Sequence, residues 1–141
     1  MWFTIRVLVL GLWVGAMAAF AFVFAPLAFA HVGPTPAFAA TIAACVRTIV
    51  CVGGWAAIVA AAISVFARLE SRRATALIVA CLALAVLCGA YETSAIVPQM
   101  ERTPLLTPAY DALHRESSGV YGAAFLAALI ALVLSSRRAY R

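Results

Sequence analysis

Four long apolar stretches dominate the sequence, at residues 7–30, 37–67, 74–97 and 119–136. A helix that crosses a hydrocarbon core of roughly 30 Å needs about 20 mostly apolar residues, and each stretch is close to that length or longer. The stretches are rich in alanine and leucine and unbroken, whereas strands of a membrane β-barrel are short and alternate in polarity. With 67% hydrophobic and 11% charged residues, the chain lies far from soluble proteins. We therefore predict an all-α protein that spans the lipid bilayer several times.

The connections between these stretches carry turn signals. "HVGPTP" (residues 31–36) contains a glycine and two prolines that interrupt a helix. In "PQMERTPLLTPAYDALHRE" (residues 98–116), Thr107 and Pro108 have the residue types of an N-cap and a first helical position. We therefore predict that the fourth helix begins at Pro108, well before the fourth apolar stretch. The result is a single four-helix transmembrane bundle over residues 1–141, with helices at about 7–30, 37–67, 74–97 and 108–136.

Arginine placement predicts the orientation, because an excess of basic residues marks the cytoplasmic side of a membrane protein. Seven arginines fall on one side of the predicted spans: Arg6, Arg68, Arg72, Arg73, Arg137, Arg138 and Arg141. The other side has Arg102 and Arg115, and Arg47 lies inside the second helix. We therefore predict cytoplasmic N- and C-termini in a cell inner (plasma) membrane.

The same arginines account for the net charge of +5. They flank the spans and do not form a groove-sized basic patch, so we expect no nucleic-acid partner. All ten basic residues are arginine and none is lysine, which hints at a GC-rich coding sequence and a bacterial source.

Polar residues are concentrated in "LHRESSGVY" (residues 113–121), just before a wholly apolar run. Arg72 and Glu92 are 20 residues apart, and Glu116 and Arg137 are 21 apart, which in a helix is roughly one hydrocarbon thickness. Residues at that distance from the arginine-rich ends should share one level near the outer face. The predicted polar layer consists of Arg47, Glu92, His114, Glu116 and Ser117.

Two roles are open for this layer. In the structural one, Arg47 pairs with Glu92 or Glu116, or reaches the lipid headgroups, and the serines satisfy helix contacts. In the functional role the layer is a binding or conduction site, because placing ionisable residues at membrane depth costs free energy and such residues are often functional. A hydrolase triad of Asp111, His114 and either Ser117 or Ser118 is not expected, because neighbours on one helix do not converge on a reaction centre.

Histidines and cysteines raise a metal or redox alternative. His31 and His114 should both lie at the outer face, where they could ligate haem b or copper. The four cysteines show no C-x-x-C or other zinc spacing, and are expected to act as small packing residues. "APLAFA" before His31 resembles a signal-peptide cleavage site, but the apolar run preceding it is longer than usual, which favours an uncleaved first helix.

Several motifs of enzymes are missing from the sequence. Without lysine there is neither a Walker A lysine nor a Schiff base, and G-x-S-x-G, H-E-x-x-H and G-x-G-x-x-G do not occur. These absences favour a non-enzymatic protein whose polar layer serves structure, small-solute handling or partner binding. Gly11 and Gly15 form a small-x-x-x-small face, which predicts a close helix contact, either internal or in a homo-oligomer or with another membrane protein.

Three motifs occur in the order typical of one family: "GLWVGAMAAFAFVFAPLAF", "YETSAIVPQME" and "LHRESSGVYG". In these motifs the chain resembles the transmembrane protein 205-like family, a four-helix family of uncharacterised function. The resemblance implies a four-helix membrane domain and no established catalytic role. The chain is also loosely similar to four-helix copper-resistance and haem-binding membrane proteins, and this similarity motivates the metal alternative. The matching motif positions are Trp13, Gly15, Pro26, Phe29, Pro98, His114 and Ser117.

Overall fold

Four long helices make up the protein in the computed structural model, which describes residues 1–33, 35–67 and 70–137. They are α1 (Trp2–Val32), α2 (Pro36–Phe66), α3 (Arg72–Arg102) and α4 (Pro108–Ser136). Each is long and apolar enough to cross a membrane, and these residues contain no strand. The predicted all-helical architecture with four membrane-length helices is therefore confirmed for this part of the chain. Arg68, Arg138 and Arg141, which entered the orientation argument, lie outside the described residues.

Hydroxyl side chains cap the starts of three helices. Thr35 accepts a hydrogen bond from the backbone N–H of Phe38 at 3.2 Å, and Ser71 caps α3 in the same way. Thr107 accepts from the backbone N–H of Tyr110 at 3.2 Å. Such caps satisfy N–H groups that have no partner within the helix. The predicted start of α4, with Thr107 as N-cap and proline next, is confirmed.

The helices form a ring in which each packs against its two neighbours along the chain, and α1 closes the ring against α4. Leu10, Met17, Ile78 and Leu82 supply large side chains from α1 and α3. Helices α2 and α4 supply mainly alanines, which allow close approach of helices in a bilayer. The buried alanines of these two helices are Ala56, Ala57, Ala60, Ala124, Ala127, Ala128 and Ala131.

Both α1 and α3 are longer than predicted, and α3 continues past Pro98 to Arg102. A π-helical segment precedes the proline in each: Phe20–Phe24 before Pro26, and Glu92–Ile96 before Pro98. A proline lacks an N–H and clashes with a carbonyl one turn earlier, and the wider π turn accommodates both effects. The prediction that the third helix ends near residue 97 was wrong for this reason. The third connection accordingly shrinks to residues 103–107.

Two glycines of the described residues lie in close contact with a neighbouring helix. A Cβ atom at Gly53 of α2 would overlap the indole of Trp13, and one at Gly89 of α3 would lie 2.8 Å from Cγ1 of Val50. At Gly11 and Gly15 a Cβ atom would meet nothing within 4 Å. Of the contacts predicted for the Gly11 and Gly15 face, the one inside the bundle is therefore not made within the described residues, because this side of α1 faces outward.

Candidate functional site

A buried ion pair ties together the end of the bundle that holds Arg6, Ser64 and Ser135, here called the terminal end. Arg6 is 0% exposed. Its Nη1 donates to Oγ of Ser64 at 3.0 Å and to Oε2 of Glu70 at 2.9 Å, and its Nη2 donates to Oε1 of Glu70. Nη2 also donates to the backbone oxygen of Ser135 at 3.0 Å. Sequence reasoning placed Arg6 only among the boundary arginines and missed this pair.

At the opposite end, here called the loop end, Arg47 forms its ion pair with Glu101 at 2.9 Å. Both side chains are more than two fifths exposed. Glu116 accepts a hydrogen bond from the hydroxyl of Tyr91 at 2.7 Å and is also exposed. The expected pairing of Arg47 with Glu92 or Glu116 was therefore wrong, because Glu101, one turn beyond the predicted end of α3, is the carboxylate in reach.

The two histidines lie on the outside of the loop end. His114 is exposed, stacks on the ring of Tyr110 at 6.5 Å and lies edge-on to Phe29 at 6.3 Å. His31 is exposed as well, and its Nδ1 lies 2.8 Å from the backbone oxygen of Leu27. The shared level also led us to expect His114 on the same inward-facing surface as the glutamates, and this expectation was wrong, because the side chain of His114 is exposed. Of the five polar-layer residues, all of which lie in the described part of the chain, only Glu92 and Ser117 are hydrogen-bonded to each other.

Glu92 is the most deeply buried carboxylate of the described chain, at 2% exposed. It is the first residue of the π-helical segment of α3, and Ser117 of α4 donates to its Oε1 at 2.5 Å. Its other oxygen, Oε2, is buried without a hydrogen-bond partner among the described residues. A buried polar atom without a partner costs about 1 to 3 kcal/mol, and more if it is charged.

The turn around Glu92 is adjusted locally by its neighbours. Thr93 donates through Oγ1 to the backbone oxygen of Gly89 at 2.9 Å, and Ser94 donates to that of Ala90 at 2.6 Å. These hydroxyls satisfy carbonyls at a place where the regular helical pattern is interrupted. Single π turns inside α-helices occur frequently at functional sites. The "ETS" triplet before Pro98 thus builds an irregular turn that carries a carboxylate.

A cavity of about 240 Å³ lies beside Glu92 and is lined by residues of all four helices. Most of its lining is apolar, and its larger side chains include Trp13 and Met17 of α1, Val50 of α2 and Tyr121 of α4. The Nε1 atom of Trp13 is, like Oε2 of Glu92, buried without a partner in the part of the chain that the structure describes. Apolar clefts between helices with a few polar groups are typical of small-molecule sites.

The sequence analysis did not connect Trp13 and Tyr121 with this site, whereas the sequence spacing puts Cys81, Cys88 and Glu92 on one stripe of the third helix. Cys81 and Cys88 pack against the core, in agreement with the expected packing role. Ser117 donates to Glu92, so it does not form a triad with His114. Within residues 1–33, 35–67 and 70–137, no three His, Cys, Asp or Glu side chains converge as a metal site.

One family comparison bears on this arrangement. A family model described as a domain of unknown function, DUF4149, matches residues 8–106. The chain belongs to the DUF4149 family. The matched residues of DUF4149 include Trp13, Cys88 and Glu92, whereas Ser117 and Tyr121 come from α4 beyond the match. No curated protein and no solved structure matches the chain.

Proposed function

We propose that this DUF4149 protein is a non-enzymatic, multi-pass protein of a bacterial inner membrane that binds a small solute in the cavity beside Glu92. The observation that carries the proposal is Glu92, which lines a cavity of about 240 Å³ and whose buried Oε2 has no hydrogen-bond partner in the described chain. A solute that enters this cavity and displaces the packing around Oε2 can satisfy the free oxygen. The bilayer surrounds the single four-helix domain, and both termini are cytoplasmic.

A purely structural role explains Glu92 less well. Ionisable residues within membrane helices are expensive and mark binding or conduction sites by default. A structural carboxylate is expected to have both oxygens paired, as in Glu70, whose two oxygens both accept from Arg6. Glu92 has one paired and one free oxygen. The resemblance to the transmembrane protein 205-like family agrees with a four-helix membrane domain, and supplies no solute.

Cys88 offers a native reporter for the cavity, since its side chain lines it. In a variant with Cys45, Cys51 and Cys81 replaced by alanine, methyl methanethiosulfonate should modify Cys88, and a bound solute should slow that reaction. The measurement is the labelling rate by mass spectrometry, with a panel of small cationic, neutral and anionic solutes.

A solute site is supported if a solute slows the labelling of Cys88 in the Glu116→Gln variant and does not slow it in the Glu92→Gln variant. The Glu116 variant removes the same charge from an exposed glutamate that accepts a single hydrogen bond from Tyr91. If no solute of any charge protects Cys88, or if protection is the same in both variants, the proposed site is refuted.

The alternative of a haem- or copper-binding redox component has one supporting contact. Because the carbonyl of Leu27 accepts, Nδ1 of His31 carries a hydrogen, and in the neutral imidazole the lone pair is then on Nε2. Metal-bound histidines commonly show this arrangement. Visible absorbance and metal content of the purified protein, compared with His31→Ala and His114→Ala, test it. A metal-free, colourless native protein after supplementation with haem and copper would refute the alternative.

A further inference from the structure

We propose that the solute bound beside Glu92 is a small organic cation, of the alkylammonium class. This inference rests on the proposed function and adds the charge and chemical class of the solute. Three features support it: the absence of a counter-charge for Glu92 in the described chain, the aromatic and apolar lining of the cavity, and its volume.

The first feature is the distribution of charge. Arg6 and Arg47 are already paired with Glu70 and Glu101, and no arginine lines the cavity. Among the described residues, Glu92 is in no ion pair. A buried carboxylate that has no positively charged partner is strongly destabilised as an anion. A cation from outside the protein relieves that cost, whereas an anion would add to it.

The second feature is the lining. Trp13 and Tyr121 contribute aromatic rings, which attract cations through their faces, the indole of tryptophan most strongly. Tyr121 donates its hydroxyl hydrogen to the backbone oxygen of Met17 at 3.2 Å. A hard metal cation such as Ca²⁺ or Mg²⁺ requires about six oxygen ligands, and this lining is mostly apolar. An ammonium group with an apolar shell suits both the carboxylate and the rings.

The third feature is size. A cavity of about 240 Å³ is far larger than the roughly 10 to 15 Å³ that one water molecule needs. An ammonium ion with a few methyl groups fits into such a space. The volume is therefore sufficient for a small organic cation.

The experiment compares three probes of one shape and different charge: choline, the uncharged isostere dimethylbutanol, and the anion dimethylbutanoate. Each is added to the detergent-solubilised protein that retains Cys88 as its single cysteine, and Cys88 labelling is followed. Choline should slow labelling about tenfold more than dimethylbutanol, which corresponds to about 1.4 kcal/mol. Dimethylbutanoate should give no protection.

The variants separate this inference from the proposed function. In Glu92→Gln the advantage of choline should vanish, and in Glu116→Gln it should remain. If dimethylbutanol protects as well as choline and its protection depends on Glu92, the solute is neutral: the organic-cation inference fails and the solute site stands. If none of the three probes protects Cys88, the inference fails, and the wider panel described above decides the solute site.

Glu92→Gln could fail to fold, and Glu92→Asp then provides the second test. It keeps the charge and withdraws the carboxylate by one methylene, so choline protection should weaken while that of dimethylbutanol stays the same. An equal change for both probes would overturn the inference. If choline has no advantage over dimethylbutanol in the protein with native Glu92, and Glu92→Gln folds more stably, Glu92 is instead identified as a structural residue.

Discussion

The indole of Trp13 lies directly against the backbone of Gly53, at a point where a Cβ atom on Gly53 would overlap Nε1, Cε2 and Cζ2 of the ring. This contact fixes how closely α1 approaches α2, next to the cavity that Trp13 also lines. The following residue, Gly54, has open space at the corresponding position. Gly53 therefore has no space for a side chain, whereas the adjacent Gly54 has space for one.

Gly53→Ala should destabilise the protein by about 1 to 3 kcal/mol, the usual cost of overpacking a filled interior. Gly54→Ala is the matched control and should leave stability unchanged or slightly raised, because alanine favours a helix more than glycine does. Unfolding in mixed micelles measures both. Equal stability of the two variants would contradict the close packing of Trp13 on Gly53.

Gly15→Leu tests whether the outward face of α1 contacts a second protein. Since nothing lies within 4 Å of a Cβ atom at Gly15, the folded yield of the monomer should be unchanged. If the face serves a homo-oligomer, the oligomer fraction in detergent should fall, because small residues permit close helix contact. Cross-linking and size-exclusion chromatography measure it. An unchanged oligomer fraction would leave the Gly11 and Gly15 face without a contact role.

The two ion pairs of the described chain should differ sharply in their contribution to stability. Removing one partner of a buried pair costs about 3 to 5 kcal/mol, whereas an exposed pair contributes about 1 kcal/mol or less. Arg6→Met should therefore be strongly destabilising, and Arg47→Met should have little effect. Arg6→Met combined with Glu70→Gln should recover part of the loss by neutralising the stranded carboxylate.

Chemical or thermal unfolding of the three variants in detergent provides the comparison. The matched control is Arg102→Met, since Arg102 is exposed. Arg47→Met should resemble it, which revises the expectation that Arg47 pairs with Glu92 or Glu116. Equal losses of stability in Arg6→Met and Arg47→Met would contradict the difference in burial between the two ion pairs.

The number of helices, the cap at Thr107 and the shared level of Glu92 and Ser117 could be predicted because each depends on length or local sequence alone. Distance along a helix gives depth, and two residues at equal depth can point in different directions. For this reason Arg47, His114 and Glu116 lie at the same end as Glu92, as predicted, and yet have exposed side chains, whereas Glu92 is buried. Their direction depends on how the helices rotate when the core packs.

The close contacts that glycines make with neighbouring helices could also not be predicted from the sequence. Gly11 and Gly15 form a recognisable small-residue pattern, but the contacts actually made are those of Gly53 with Trp13 and of Gly89 with Val50. Whether a glycine receives a neighbour depends on the partner helix, and no local pattern encodes it. Arg6 shows the same difficulty, because its partner Glu70 is 64 residues away.

Leu106 adopts a left-handed backbone conformation with φ of 62°, in the short connection between α3 and α4. A residue with a Cβ pays about 1 kcal/mol or more for this conformation, and glycine does not. Leu106→Gly should therefore keep or raise stability despite the greater freedom of the unfolded chain. Leu105→Gly, next to it and without positive φ, should lower stability. Equal losses in both variants would contradict the strained turn.

The orientation of the bundle decides which side of the membrane the Glu92 end faces. Arg72, Arg73 and Arg137 lie at the terminal end with the buried Arg6, and the excess of arginine there predicts that this end is cytoplasmic. In a background without native cysteines, Arg73→Cys should be protected from a membrane-impermeant thiol reagent in intact cells, while Pro104→Cys should react. After the cells are opened, Arg73→Cys should react as well, which controls for accessibility. The reverse pattern would place the loop end, and with it Glu92, on the cytoplasmic side, so that the solute would enter its cavity from the cytoplasm.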